Sequence, residues 1–233
     1  MTTPEQSVGD AAGVSPTRRF GARVIAVIVA LGFLAGAVGY LVGVRSSKTP
    51  TSAVDVGFMI DMSEHHDQAV RMALMELAHG QDPTVRGFAQ DVLLFQRSEL
   101  GAMGVLLDEQ GAVRPDLDPD RSAMAWMNMA TPSGAMPGMA TEEQLARLEA
   151  ARGLDADRLF LELMSAHHEG GLHMAEYAAD HGSDSRVRAL AARMAKYQEI
   201  EVREYTVQSE RLGAGATGNS ADGSMSGMPG MDH

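Results

Sequence analysis

Residues 157–175 read DRLFLELMSAHHEGGLHMA and residues 55–73 read DVGFMIDMSEHHDQAVRMA, and the two stretches align without a gap. Asp55, Phe58, Met62, Ser63, His65 and His66 return as Asp157, Phe160, Met164, Ser165, His167 and His168, and Met72-Ala73 returns as Met174-Ala175. The register holds further on. His79-Gly80 matches His181-Gly182, Asp82 matches Asp184, Val85-Arg86 matches Val187-Arg188, Gln96 matches Gln198 and Glu99 matches Glu201. Chance does not keep so many uncommon residues in phase, so the chain carries an internal duplication spanning Asp55–Glu99 and Asp157–Glu201.

Each copy predicts two helices. The first runs from about Asp55 to Ala78 and stops at Gly80, a residue suited to a left-handed C-terminal cap. Asp82-Pro83 opens the second, with Asp as N-cap and Pro at the first helical position. Val85, Phe88, Ala89, Val92 and Phe95 then recur near helical spacing, which marks one buried face. Two such hairpins bury their apolar faces only against each other, and the expected fold is all-α, a four-helix bundle over residues 55–212. Between the copies, residues 111–140 have the Pro, Gly, Asp and Met content of a linker. Thr141-Glu142-Glu143-Gln144 reads as a capping box opening a short helix that ends near Gly153. Residues 213–233 are rich in Gly, Ser and Met and are expected to be disordered.

Val24 to Val44 contains no charged residue. That length, at about 1.5 Å per residue, crosses a hydrocarbon core of roughly 30 Å. Arg18, Arg19 and Arg23 precede it, so the positive-inside rule places residues 1–23 in the cytoplasm and exports the remainder. The expectation is a single-pass anchor in the cytoplasmic membrane, or a secreted domain if the apolar segment is cleaved. The formal net charge of −12 offers no basic surface to phosphates and excludes a nucleic-acid partner. Cys is absent, which removes disulfides, thiolate metal sites and Cys nucleophiles, whereas Met is abundant at 17 residues.

The paired histidines carry the chemistry. Met62 precedes His65 and His66 by three and four residues, so thioether and imidazole share a helix face, and Met164 stands in the same relation to His167 and His168. Met72 extends this face in the first copy, and His173 and Met174 extend it in the second. Imidazole with thioether is a neutral, soft donor set that suits Cu(I), and imidazole alone suits Cu(II) or Zn(II). Taken singly, a His-His pair is more simply a satisfied polar group in a core. Its recurrence with Met in phase favours a metal. Gln96 and Glu99, with Gln198 and Glu201, fall on one face of the second helices. Glu there could ligate a metal, orient an imidazole or pair with Arg97 or Arg203. His79 and His181 sit in last helical turns, where the helix dipole alone favours them. Met124, Met127, Met129, Met136 and Met139 in the linker, and Met225, Met228, Met231 and His233 in the tail, read as exposed thioethers able to wrap a soft cation.

The pattern Asp157, Phe160, Met164-Ser165-Ala166-His167-His168-Glu169-Gly170-Gly171 and Met174-Ala175, followed by Arg188, Ala191 and Gln198-Glu199-Ile200-Glu201, resembles the family known as domain of unknown function 305. The resemblance covers about Asp55 to Leu212 and leaves out the apolar segment and the tail. It implies a ferritin-like, exported four-helix domain, copper binding and copper tolerance in some members, and no assigned enzymatic activity. The implied metal-side residues are Met62, His65, His66, Met164, His167 and His168. The first copy departs from the second at Asp67-Gln68, opposite Glu169-Gly170, and at Arg71, opposite His173.

The expected function is copper buffering, sequestration or delivery outside the cytoplasmic membrane, with Zn or Fe as other candidate metals. Two alternatives stand beside it. An interaction module of an envelope complex, with its protein partner unknown, needs no metal. A di-iron oxidase needs a Glu-x-x-His from each of two helices. Glu76-Leu77-Ala78-His79 fits, but the second copy has Ala178 in place of the Glu.

Overall fold

The computed structural model describes residues 28–40 and 52–221, with side chains to residue 213. Residues 28–40 are helical and belong to a separate unit, Met1–Thr49. The rest of the expected span from Val24 to Val44 lies outside the described residues, as does the whole segment 1–23. Among the described residues no helix is long and apolar enough to cross a membrane.

The second unit, Pro50–His233, is built on four long helices and one short one. They are α1 (Ala53–His79), α2 (Pro83–Glu109), α3 (Glu142–Ala150), α4 (Leu154–His181) and α5 (Ser185–Ala221). The expected signals start them. Asp82 caps α2, accepting from the amides of Thr84 and Val85 at 2.9 and 3.1 Å ahead of Pro83. Thr141 and Gln144 close the capping box of α3. The last helix runs on to Ala221, beyond the expected start of a disordered tail at residue 213.

The stops work differently from expectation. Gly80 and Gly182 have φ of −70° and −62°, not the left-handed cap. Glycine is required there for room. A Cβ at Gly80 would lie 1.8 Å from Glu76 Oε1, and one at Gly182 would lie 2.7 Å from Asp55 Oδ1.

Two equivalent aspartates, Asp55 and Asp157, lock the two repeats together. Asp55 at the start of α1 accepts from the amides of Ser183 and Asp184 in the α4–α5 turn, both at 3.0 Å. Its counterpart Asp157 accepts from Gln81 and Asp82 in the α1–α2 turn, at 3.0 and 3.1 Å. Each hairpin's first helix therefore caps the other hairpin's turn. This sets α1 antiparallel to α4 and gives the bundle a pseudo-twofold axis between them. Asp55→Ala should leave the buried Asp184 amide without an acceptor and cost about 2–3 kcal/mol in urea unfolding. Asp55→Asn, which keeps an acceptor oxygen, should cost clearly less, and equal losses would mean the carboxylate is not the lock.

The core divides into two halves related by the same axis. One gathers Phe58, Met62, Met103, Met174, Val187 and Ala191. The other gathers Phe160, Met164, Met72, Val85, Ala89 and Tyr205. These are repeat equivalents throughout, with Tyr205 standing where the first half has Met103. Each half takes its methionines from both repeats.

The segment between the hairpins is folded, contrary to its linker composition. Ser122–Ala123 pairs antiparallel with Thr131–Pro132, and short 3-10 turns span Ala125–Met127 and Ser133–Ala135. Asp61 on α1 anchors it, accepting from the Met124 amide and the Trp126 indole, both at 2.7 Å, and from Arg121 at 2.6 Å. Arg121 also reaches Glu64 at 2.9 Å, so a buried acidic pair on α1 is neutralised by a guanidinium from the segment.

Candidate metal centre

The four histidines lie at the middle of α1 and α4 and are at most 1 % exposed. His65 and His167 meet across the pseudo-twofold axis with ring centroids 3.7 Å apart and planes tilted by 38°. A carbonyl oxygen can only accept, so His65 Nε2 donates to Pro137 O at 3.1 Å and its Nδ1 carries the lone pair. That Nδ1 has no partner, nor has His167 Nε2. Burial pushes His65 down to about 3 and His167 well below the usual imidazole range, with the neighbouring imidazoles adding to both shifts. Both rings are therefore neutral, which is the form that binds a metal.

The outer histidine of each pair turns to a carboxylate. His66 Nε2 donates to Glu99 Oε2 at 2.8 Å, leaving His66 Nδ1 buried and unpartnered. His168 is turned the other way: its Nδ1 donates to Met164 O at 3.0 Å. Glu201 Oε2 then lies 2.9 Å from His168 Nε2, a close approach that lacks hydrogen-bond alignment. The side-chain oxygens of Gln96 and Gln198 are buried without partners at the same level of the bundle. Gln198 Oε1 approaches His65 across Gly171, where a Cβ would lie 2.6 Å from Gln198 Oε1 and 3.2 Å from His65 Cε1.

A strap closes this centre. Gln68 grips residue 140 in both directions, donating to Ala140 O at 2.9 Å and accepting from Ala140 N at 2.6 Å. Pro137 and Gly138 press on α4 so closely that a Cβ at Gly170 would lie 2.0 Å from Pro137 O. Met136 is buried in the core beside Met62 and Met174. Gly170→Ala should push the strap off, costing roughly 1–3 kcal/mol. Hydrogen exchange at residues 136–140 should rise with it, and unchanged protection there would contradict the contact.

Residues 55–207 match the family described as Domain of unknown function (DUF305). The chain belongs to the DUF305 family. A DUF305 protein of Streptomyces coelicolor is 34% identical, with 69% of this chain and 94% of that one covered and a TM-score of 0.62. CopM in its Cu(II)-bound form is 20% identical, with 69% of this chain and 99% of that one covered and a TM-score of 0.56. CopM in its Cu(I)-bound form is 20% identical, with 67% and 96% covered and a TM-score of 0.53. At that identity the likeness to CopM establishes a shared helical fold. No curated protein sequence matches the chain.

Within this DUF305 bundle the residues singled out from sequence scatter. His65, His66, His167 and His168 converge, and Glu99 and Glu201 reach the outer two. Arg203 pairs with Glu199, not Glu201. Met62 and Met174 fall in one half of the core, Met164 and Met72 in the other. His173 is exposed near Glu176 and does not join the centre. Met124 and Met136 are buried core residues, so the reading of the linker methionines as exposed side chains fails for these two. Met127 and Met139 are partly buried against the core, and only Met129 among the five is exposed. Met225, Met228, Met231 and His233 lie outside the described residues. Glu76 is buried beside Gly80, and His79 reaches toward Glu149 at 3.7 Å on α3, so the two residues of the Glu-x-x-His motif part company. Among the described residues no three His, Asp or Glu side chains form a preformed metal cluster.

Sequence reasoning missed Gly170, Gly171, Gln68 and the strap. A signal was present: Met136-Pro137-Gly138-Met139 is repeated letter for letter as Met228-Pro229-Gly230-Met231.

Proposed function

We propose that this protein binds copper, Cu(I) above Cu(II), between its two repeats, and buffers, sequesters or passes it on outside the cytoplasmic membrane. It acts as a binding protein, not an enzyme. One observation carries the reading: the two neutral, closely apposed imidazoles of His65 and His167 come from different repeats, and each has a buried ring nitrogen with no partner. Buried polar atoms are ordinarily satisfied, so a pair of unused imidazole lone pairs in a core calls for a ligand. With thioethers of Met62 and Met164 one helical turn away, the donors are few, neutral and soft, which suits Cu(I) better than Zn(II) or Fe(II). CopM, with the same fold, has been solved with Cu(I) and with Cu(II). The uncharged run from Val24 to Val44 behind three arginines supports the placement outside the cytoplasmic membrane.

The test is a competitive Cu(I) titration of the full chain in detergent, with Cu(II), Zn(II) and Fe(II) in parallel. Tight binding of Cu(I) over the others supports the reading. Absence of binding to all four would leave the bundle as an interaction module of an envelope complex. Deleting residues 222–233, which hold Met225, Met228, Met231 and His233, should lower the number of weakly held Cu(I) ions and leave the tightest site unchanged.

A further inference from the structure

Helices α2 and α5 lie side by side and antiparallel: Asp82 at the start of α2 accepts from Gln208 in the second half of α5 at 3.0 Å, and Glu109 at the end of α2 pairs with Arg186 at the start of α5. Their outer face is apolar at its centre. Phe95 and Tyr197 occupy equivalent positions in the two repeats, and their rings stack 6.2 Å apart with planes within 9°. They are 58 % and 54 % exposed. Val105, which lines the groove between the helices, its repeat equivalent Val207, and Leu94 next to Phe95 in the chain are exposed as well.

The two halves of this seam differ in shape and in the placement of charge. Beyond the stack on one side, Gly101, Ala102 and Ala189 form the floor of a groove of about 540 Å³, and Arg193 stands on its rim. At the equivalent positions on the other side, Arg203 and Glu204 replace Gly101 and Ala102, so bulk replaces the groove. Asp91 there replaces Arg193, and the carboxylates of Asp91 and Glu204 both act on the neighbouring Tyr205 phenol. One half is hollow, with Arg193 standing apart from the Glu109–Arg186 pair, and the other is filled, with Asp91 and Glu204 beside Arg203 and Arg211.

We propose that a second copy of this chain docks on this face, with the twofold axis crossing α2 and α5 at the Phe95–Tyr197 stack. This axis lays the hollow half of each copy on the filled half of the other, and Arg193 on the second copy's Glu204, twice over. An axis parallel to the helices would set groove on groove and Asp91 against the second copy's Glu204, leaving voids and like charges. An anionic lipid surface would meet the same two carboxylates and fits the face less well.

The chain has no Cys, so one introduced thiol reports on its own symmetry mate. In the full chain in detergent, Leu94→Cys on α2 and Lys196→Cys on α5 should each give a disulfide-linked dimer alone under diamide. Sedimentation of the Cys-free chain should show a dimer at micromolar concentration. Arg193→Glu should raise its dissociation constant about tenfold, and adding Glu204→Arg in the same chain should restore it. A monomer throughout, a dimer indifferent to Arg193→Glu, cross-linking only between a Leu94→Cys chain and a Lys196→Cys chain, or flotation with phosphatidylglycerol vesicles in place of dimers would each overturn the proposal.

Discussion

Replacing His65 and His167 together with Ala should weaken Cu(I) binding by a hundredfold or more in a competition titration, roughly 2.8 kcal/mol. These two rings, and not the adjacent pair His167 and His168, meet at the pseudo-twofold axis. Each carries a buried ring nitrogen without a partner. The outer histidines have a different role. His66 donates to Glu99 at 2.8 Å, and a carboxylate behind an imidazole tunes and orients it, whereas His168 is held by Met164 O with Glu201 close but unaligned. Glu99→Gln should therefore cost about 10–100-fold in affinity, less than loss of the central pair. The substitution should not unfold the bundle, because Ala removes two desolvated rings and leaves no buried charge. If the double variant keeps its Cu(I) affinity while the outer pair proves essential, the central rings are packing alone and the metal sits elsewhere.

The second large effect concerns stability and needs no metal. Glu76 is fully buried, with both carboxyl oxygens lacking a donor. Burial first, and then the neighbouring Asp157 carboxylate, push it up to about 9 from 4.5, against the pull of Arg86. The folded protein thus holds a proton that the unfolded chain releases near pH 4.5. A pKa raised on folding contributes stability that is complete below the unfolded value and is lost as pH rises toward the folded one. The bundle should therefore weaken between about pH 4.5 and pH 9 through this group. Glu76→Gln keeps the neutral shape and can donate to Asp157. At pH 8 it should gain on the order of 2 kcal/mol, or roughly 4–8 °C in Tm. At pH 5 the gain should nearly vanish. A gain of equal size at both pH values, or a loss at pH 8, would show that Glu76 is not protonated in the native bundle. The second repeat has Ala178 at this position and so carries no such group beside Asp55.

The resemblance in the sequence and the fold agree on the main architecture for a physical reason. Helical periodicity, caps and a duplication are local or self-referential, and each is legible from residues a few positions apart. The duplication further dictates a pairwise symmetric core, since two identical apolar faces bury each other. The hairpins, the N-caps at Asp82 and Thr141 and the convergence of the two His-His pairs were therefore readable in advance.

What was not readable depends on close approach between distant segments. Composition suggested a loose linker, yet residues 121–126 are tied to Asp61 and Glu64 and residues 137–140 to His65 and Gln68. Nothing local in a Pro-, Gly- and Met-rich stretch announces an acidic pair waiting sixty or so residues upstream. Gly80 reads as a cap, and Gly170 and Gly171 only as letters of a family pattern; their small size makes room for Glu76, Pro137 and Gln198. Met62 and Met72 share a helix face on paper, but antiparallel packing of α1 on α4 sends them to opposite halves of the core. Local pattern sets the helices, the repeat and the kind of donor atoms at its centre. Tertiary structure alone decided which two imidazoles touch, what covers them and which methionines remain free, because those depend on distances between chains of residues that periodicity does not encode.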